Sequence, residues 1–132
     1  MNENQVCCFT GHRNLPQWEE NSMRQKLQAV IREFAIAGIR TYCAGGAMGF
    51  DTLAEQVVLE LKKEFPQIRL VLVLPCRQQE KYWPARDKAV YQNILRQADE
   101  VIYVSEEYTR GCMHKRNRRL VEMSTLCVTN LS

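Results

Sequence analysis

Residues 68–74 read Ile-Arg-Leu-Val-Leu-Val-Leu, an almost unbroken apolar run closed by Pro75. A strand with one wet face alternates apolar and polar residues. A strand that does not alternate is covered on both faces, as in the interior of a parallel sheet with helices on either side. The run is also far short of the ~20 apolar residues that cross a bilayer. Segments of helical period lie on both sides of it, so the chain reads as a succession of β-α-β units.

The other elements follow the same logic. Residues 5–10 form a short buried strand ended by Gly11. Ser22 is a plausible N-cap, and Met23, Leu27, Val30, Ile31, Phe34 and Ala37 then recur at helical spacing before Gly38 stops the helix. Residues 39–44 make the second strand. A second helix runs from about Asp51, with Leu53, Ala54, Val57, Val58, Leu61 and Phe65 on one face, and Pro66 terminates it. Pro84 suits the first turn of a third helix, whose stripe is Val90, Ile94, Leu95 and Ala98. Residues 100–105 are a fourth strand, 113–123 a basic helix and 125–131 a fifth strand. Strict alternation predicts a three-layer α/β/α Rossmann-like sandwich, with a mainly parallel sheet of about five strands in a single domain over 1–132.

Composition narrows the function classes. The chain has 132 residues, with 18 Lys and Arg against 15 Asp and Glu, and a net charge of +3. That imbalance is too small to mark a nucleic-acid or membrane binder. The N-terminus has no basic region followed by a long apolar core, so no secretory signal is expected and the cytoplasm is the expected compartment. The six cysteines include no CxxC pair, and only Cys112-x-His114 brings Cys and His close together. A structural zinc site needs about four ligands at characteristic spacings. Free thiols in a reducing compartment, with no metal and no cofactor, are the expectation.

In doubly wound sheets, ligands sit outside the carboxyl ends of the strands. Thr10, Gly11, His12 and Arg13 fall at that edge, as do Gly45, Gly46, Ala47, Gly49 and Asp51, and Arg77. The glycines free the backbone to bring its N–H groups close to a ligand, and the following helix start favours a phosphate. The spacing is neither GxGxxG nor a P-loop, so a tight turn that binds nothing competes with this reading. Asp51 and Glu55 lie four apart on one helix face, where they would bind ribose hydroxyls or serve as acid and base. They also fit a simple helix cap, with Thr52 and Glu55 as a capping box. Arg13 would pair with a phosphate, and His12 would donate a hydrogen bond or carry a proton. Tyr82 and Trp83 would stack on a base or staple a helix start. The basic run of Arg110, Lys115, Arg116, Arg118 and Arg119 reads as a solvated face by default, with a phosphate or nucleic-acid contact as the minority reading and Arg116 and Asn117 as the foremost exceptions.

These residues resemble a known family. Phe9-Thr10-Gly11-His12-Arg13, the string Gly45-Gly46-Ala47-Met48-Gly49-Phe50-Asp51-Thr52-Leu53-Ala54-Glu55, and Arg116-Asn117 are similar to the YpsA family. That family sits in the SLOG superfamily with the LOG proteins and DprA. The resemblance runs over most of the chain and implies a nucleotide or nucleotide-sugar binding protein, a sensor or regulator with a phosphorylated small molecule as partner. Two other readings follow from the relatives. One is a LOG-type nucleoside-phosphate N-glycosidase, with Glu55 as its catalytic acid or base. The other is a DprA-type single-stranded nucleic-acid module using the 110–119 cluster. The family's longer members continue into a second glycine-rich turn, where LOG enzymes carry a catalytic Glu. This chain is expected to lack that segment, which counts against hydrolysis. No membrane partner is expected, and homo-oligomerisation stays open.

Overall fold

A computed structural model describes residues 4–129. Nine elements alternate along the described residues: β1 (Val6–Thr10), α1 (Gln17–Ile36), β2 (Thr41–Ala44), α2 (Phe50–Lys62), β3 (Arg69–Leu74), α3 (Ala85–Gln97), β4 (Glu100–Tyr103), α4 (Cys112–Met123) and β5 (Leu126–Thr129). The strands form one sheet in the order β4-β3-β2-β1-β5, and every neighbouring pair is parallel. The alternating, mainly parallel architecture is therefore present, with β2 at the centre and β3 in the interior.

Pleating divides the sheet between two unequal layers. Cys7, Phe9, Tyr42, Ala44, Leu70, Leu72 and Leu74 pack with Leu27 and Ile31 of α1, the apolar stripe of α2, and Tyr91 and Ile94 of α3. Cys8, Cys43, Val71 and Val73 point the other way, to Leu120 of α4. Each fully buried aliphatic side chain contributes roughly 1.5–3 kcal/mol. The apolar run of 68–74 is explained by this arrangement, since β3 is covered by helices on both faces.

The start of α1 and the buried stripe of α3 differ from expectation. Helix α1 begins at Gln17, so Ser22 lies within it and is not its cap. Pro16 sets φ at −58° and its carbonyl accepts from the Glu19 amide, while Glu19 and Glu20 complement the helix dipole. The stripe of α3 is carried by Tyr91 and Ile94, with Val90, Leu95 and Ala98 only partly buried. β5 is described over Leu126–Thr129, and residues 130–131 of the expected strand lie outside the described residues.

Strands β1 to β4 are laid down successively in one direction, and β5 then returns to the free edge of β1. The winding reverses between β1 and β5, which opens a crevice at the carboxyl ends of those strands. Helix α4 packs against β1 and β3, and the α4-side face of β5 carries the exposed Cys127.

Candidate functional site

The two turns that leave β1 and β2 are built against each other. The Phe50 amide donates to the His12 carbonyl at 3.0 Å. A Cβ on Gly49 would lie 2.3 Å from the Arg13 carbonyl oxygen, and the residue has φ +80°, so no other side chain fits there. Gly46, at φ +72°, would bring a Cβ within 2.4 Å of Leu74 Cδ2. Gly49 thus serves close packing between the two turns, and Gly46 close packing against the end of β3.

The loop's amides are engaged by carboxylates of the helix that follows it. Gly46 N–H donates to Glu55 Oε2 at 3.1 Å, and Ala47 N–H donates to Asp51 Oδ2 at 3.3 Å. Thr52 Oγ1 donates to the Ala47 carbonyl at 3.0 Å. The N-cap of α2 is Gly49, so Asp51 and Glu55 hold the glycine loop instead of capping the helix. From the opposite layer, Arg116 Nη1 donates to the Gly45 carbonyl at 2.6 Å, and its Nε donates to Asn117 Oδ1 at 2.7 Å. Cys112, Arg116 and Leu120 form the buried stripe of α4, so this guanidinium sits where an apolar residue would ordinarily lie.

This is a buried charge cluster. Glu55 is 2% exposed, Asp51 7% and Arg116 9%. Burial pushes the Asp51 carboxyl up to about 6, against the opposing pull of the Ala47 amide, Arg116 and Arg13. Burial, reinforced by the neighbouring Asp51 charge, holds Glu55 well above the usual carboxylate range. Desolvation lowers the pKa of Arg116, and Asp51 opposes that shift. Burial thus lifts Asp51 above the usual carboxylate range, a behaviour common at ligand sites.

A groove of about 510 Å³ opens over the cluster at the β1/β5 reversal. Thr10, Gly11, Arg13, Ala47, Asp51, Arg116 and Asn117 line its polar end, and Leu120, Val121 and Leu126 its apolar end. These seven polar-end residues are among those singled out from the sequence. Gly45 and Gly46 are buried behind the wall. Gly49 lines a second depression, of about 700 Å³, on the α1–α3 side, which it shares with Arg13. His12 contributes its carbonyl to the turn, and its residue is exposed.

Two of the expected site residues stand away from the groove lining. Arg77 lies outside both depressions, paired with Glu106 at 2.7 Å and stacked 4.3 Å over the Tyr103 ring. Glu55 is buried behind the loop, accepts from the Gly46 amide, and is not among the residues that line the groove. The groove wall formed by Ser124, Thr125 and Cys127 was not anticipated. It arises because β5 lies beside β1, a fact of sheet order rather than of local pattern.

Residues 7–130 match the YspA SLOG family. The SPbeta prophage-derived protein YoqJ of Bacillus subtilis is 33% identical over 119 residues, covering 80% of this chain and 70% of that protein. A UPF0398 protein of Bacillus pumilus is 29% identical, covering 78% of this chain and 54% of its own length. One from Brevibacillus brevis is 38% identical over 86 residues, 44% of its length. The chain thus spans about half the length of the UPF0398 relatives it matches. Among solved structures, DNA processing protein A of Helicobacter pylori, described for its single-stranded DNA binding mode, superposes with a TM-score of 0.61 at 19% identity. That match covers 96% of this chain and 53% of that one. The protein TM1055 gives a TM-score of 0.60 at 15% identity, covering 95% of this chain and 59% of that one. Likeness at such identities concerns the fold.

Proposed function

The chain belongs to the YpsA family of the SLOG superfamily, and we propose that its groove binds a phosphorylated nucleotide or nucleotide sugar as a sensor or regulator. The observation that carries this reading is the convergence of Arg13, Asn117 and Asp51 on one crevice at the winding reversal of a parallel sheet. Arg13 faces the crevice as counter-charge for a phosphate, with the Thr10-Gly11 turn beside it. Asp51 accepts from a ribose hydroxyl, and the apolar end along Leu120 and Leu126 takes the base or sugar. Since the Gly46 and Ala47 amides are engaged, the phosphate relies on Arg13 and Asn117 more than on the glycine loop itself. The enclosure of Glu55 favours binding over glycosidic hydrolysis.

The test is calorimetric titration of AMP and ADP-ribose, each set against its unphosphorylated nucleoside, into the wild type and Arg13→Ala. An arginine–phosphate hydrogen bond contributes about 1.5–3 kcal/mol, so the variant loses roughly 10- to 150-fold for phosphorylated ligands and little for nucleosides. Equal losses for both remove Arg13 from the reading.

A second reading rests on a separate observation. Trp18 is 80% exposed, Tyr82 89% and Tyr108 73%, and all three lie on the carboxyl-edge side, where Arg77, Lys81 and Arg110 are also exposed. Exposed aromatics among basic residues form a stacking platform for single-stranded nucleic acid. Affinity for a short oligonucleotide that falls steeply with salt, and falls again in Tyr82→Ala, selects this reading.

A further inference from the structure

Three cysteines stand in one row across the sheet. Cys8 of β1 is in register with Cys43 of β2 on one side and with Cys127 of β5 on the other. In-register residues of neighbouring parallel strands point to the same face, about 4.8 Å apart. That spacing falls inside the roughly 4.4–6.8 Å Cα separation a disulfide spans. Cys7, the next residue along the chain, points into the opposite layer.

The members of the row differ in access. Cys43 is fully buried and Cys8 is 3% exposed, whereas Cys127 is open to solvent. Cys8 and Cys127 both line the groove. Cys127 Sγ is 3.8 Å from Thr10 Oγ1, at the polar end of the same groove. Burial pushes the Cys8 thiol up to about 11, so at neutral pH it waits protonated. An incoming reagent therefore meets Cys127 first.

We infer that Cys127 and Cys8 form a thiol–disulfide exchange site in the groove, which takes a low-molecular-weight disulfide such as glutathione disulfide and ends as a Cys8–Cys127 cross-link. The Cys127 thiol gives up its proton and its sulfur attacks one sulfur of glutathione disulfide. That S–S bond breaks, and the first glutathione leaves and takes up a proton. The Cys8 thiol then loses its proton and attacks the Cys127 sulfur, expelling the second glutathione as a thiol. Two protein thiols are oxidised and one disulfide is reduced to two thiols, so atoms and electrons balance. The product ties edge strand β5 to β1 and draws Cys127 from Thr10, a groove-lining residue, which couples oxidation to the shape of the groove. The site stands whatever ligand the groove takes.

The full chain is incubated with glutathione disulfide, alkylated in acid, digested and sequenced by mass spectrometry. The expected product is a link between Cys8 and Cys127, with the loss of two hydrogens from the intact mass, reversed by dithiothreitol. Cys127→Ser, an exposed substitution, gives neither the link nor a groove adduct while keeping its circular-dichroism melt. Cys8→Ala stalls with glutathione on Cys127. The inference is overturned if the wild type accumulates that adduct without a link. It is equally overturned if Cys8 joins Cys43, or if Cys76 joins Cys112 while Cys127 stays open to alkylation.

Discussion

Asp51 should make this protein lose stability as pH rises from acid to neutral. Its carboxyl is 7% exposed and is pushed from its usual 3.8 up to about 6, chiefly by burial. The folded chain thus holds the Asp51 proton more tightly than the unfolded chain. Its contribution is fully present below about 3.8 and is lost as pH climbs through about 6. At about 1.36 kcal/mol per unit, the whole effect is about 3 kcal/mol, of which about 2 kcal/mol falls between pH 4.5 and 7.5. Glu55, raised by burial and by Asp51 itself, pushes in the same direction.

Asp51→Asn keeps the oxygen that accepts from Ala47 and removes the charge. Other titrating groups change stability too, so the informative quantity is the difference between variant and wild type. Urea unfolding followed by circular dichroism at pH 4.5 and 7.5 should show the variant gaining about 2 kcal/mol relative to wild type over that interval. In a domain of this size that corresponds to roughly 6–10 °C in melting temperature. The same variant should bind phosphorylated nucleotides more weakly, because Asp51 faces the groove. A site that costs stability and supports binding is the pattern expected of function. A variant-minus-wild-type difference that does not change with pH would refute the reasoning.

Two further outcomes follow from the loop. Gly49→Ala combines a left-handed backbone with a Cβ 2.3 Å from the Arg13 carbonyl oxygen, so it should cost about 2–5 kcal/mol, read as a fall in urea midpoint; a change under 1 kcal/mol (roughly) would mean the two turns are not packed as described. Arg116→Met removes a charged hydrogen bond to the Gly45 carbonyl and the positive charge nearest the two carboxylates, at about 1.5–3 kcal/mol. Its cost should shrink at low pH, where Asp51 is neutral, and a pH-independent cost would separate Arg116 from the carboxylates.

Much of the fold was legible because the period of hydrophobicity switches cleanly between strand and helix along this chain. The unalternating run of 68–74 marks a strand covered on both faces, and β3 is one. The start of α1 was less visible, because its apolar stripe begins at Met23 while the helix itself begins after Pro16. At the site, the clustering of Thr10–Arg13 with the glycine loop followed from their position after parallel strands. The role of the glycines did not. Gly46 and Gly49 read equally well as a phosphate cradle, and only the positions of Leu74 and of the Arg13 carbonyl show that they permit close packing. Likewise Asp51 and Glu55, equivalent by spacing, both hold the loop, but only Asp51 also lines the groove. The wall from Ser124 to Cys127 depends on β5 pairing with β1, which no local pattern encodes.

The most direct test of the groove as a nucleotide site is a titration followed by amide chemical shifts, with ADP-ribose and AMP added to the isotope-labelled chain. Saturable shifts should concentrate at Gly11, Arg13, Ala47 and Asn117, the residues that line the polar end, and should fade in Arg13→Ala. Shifts confined to the depression between β4 and α4, at Lys115, Arg118 and Arg119, would contradict the account and place the protein's ligand elsewhere.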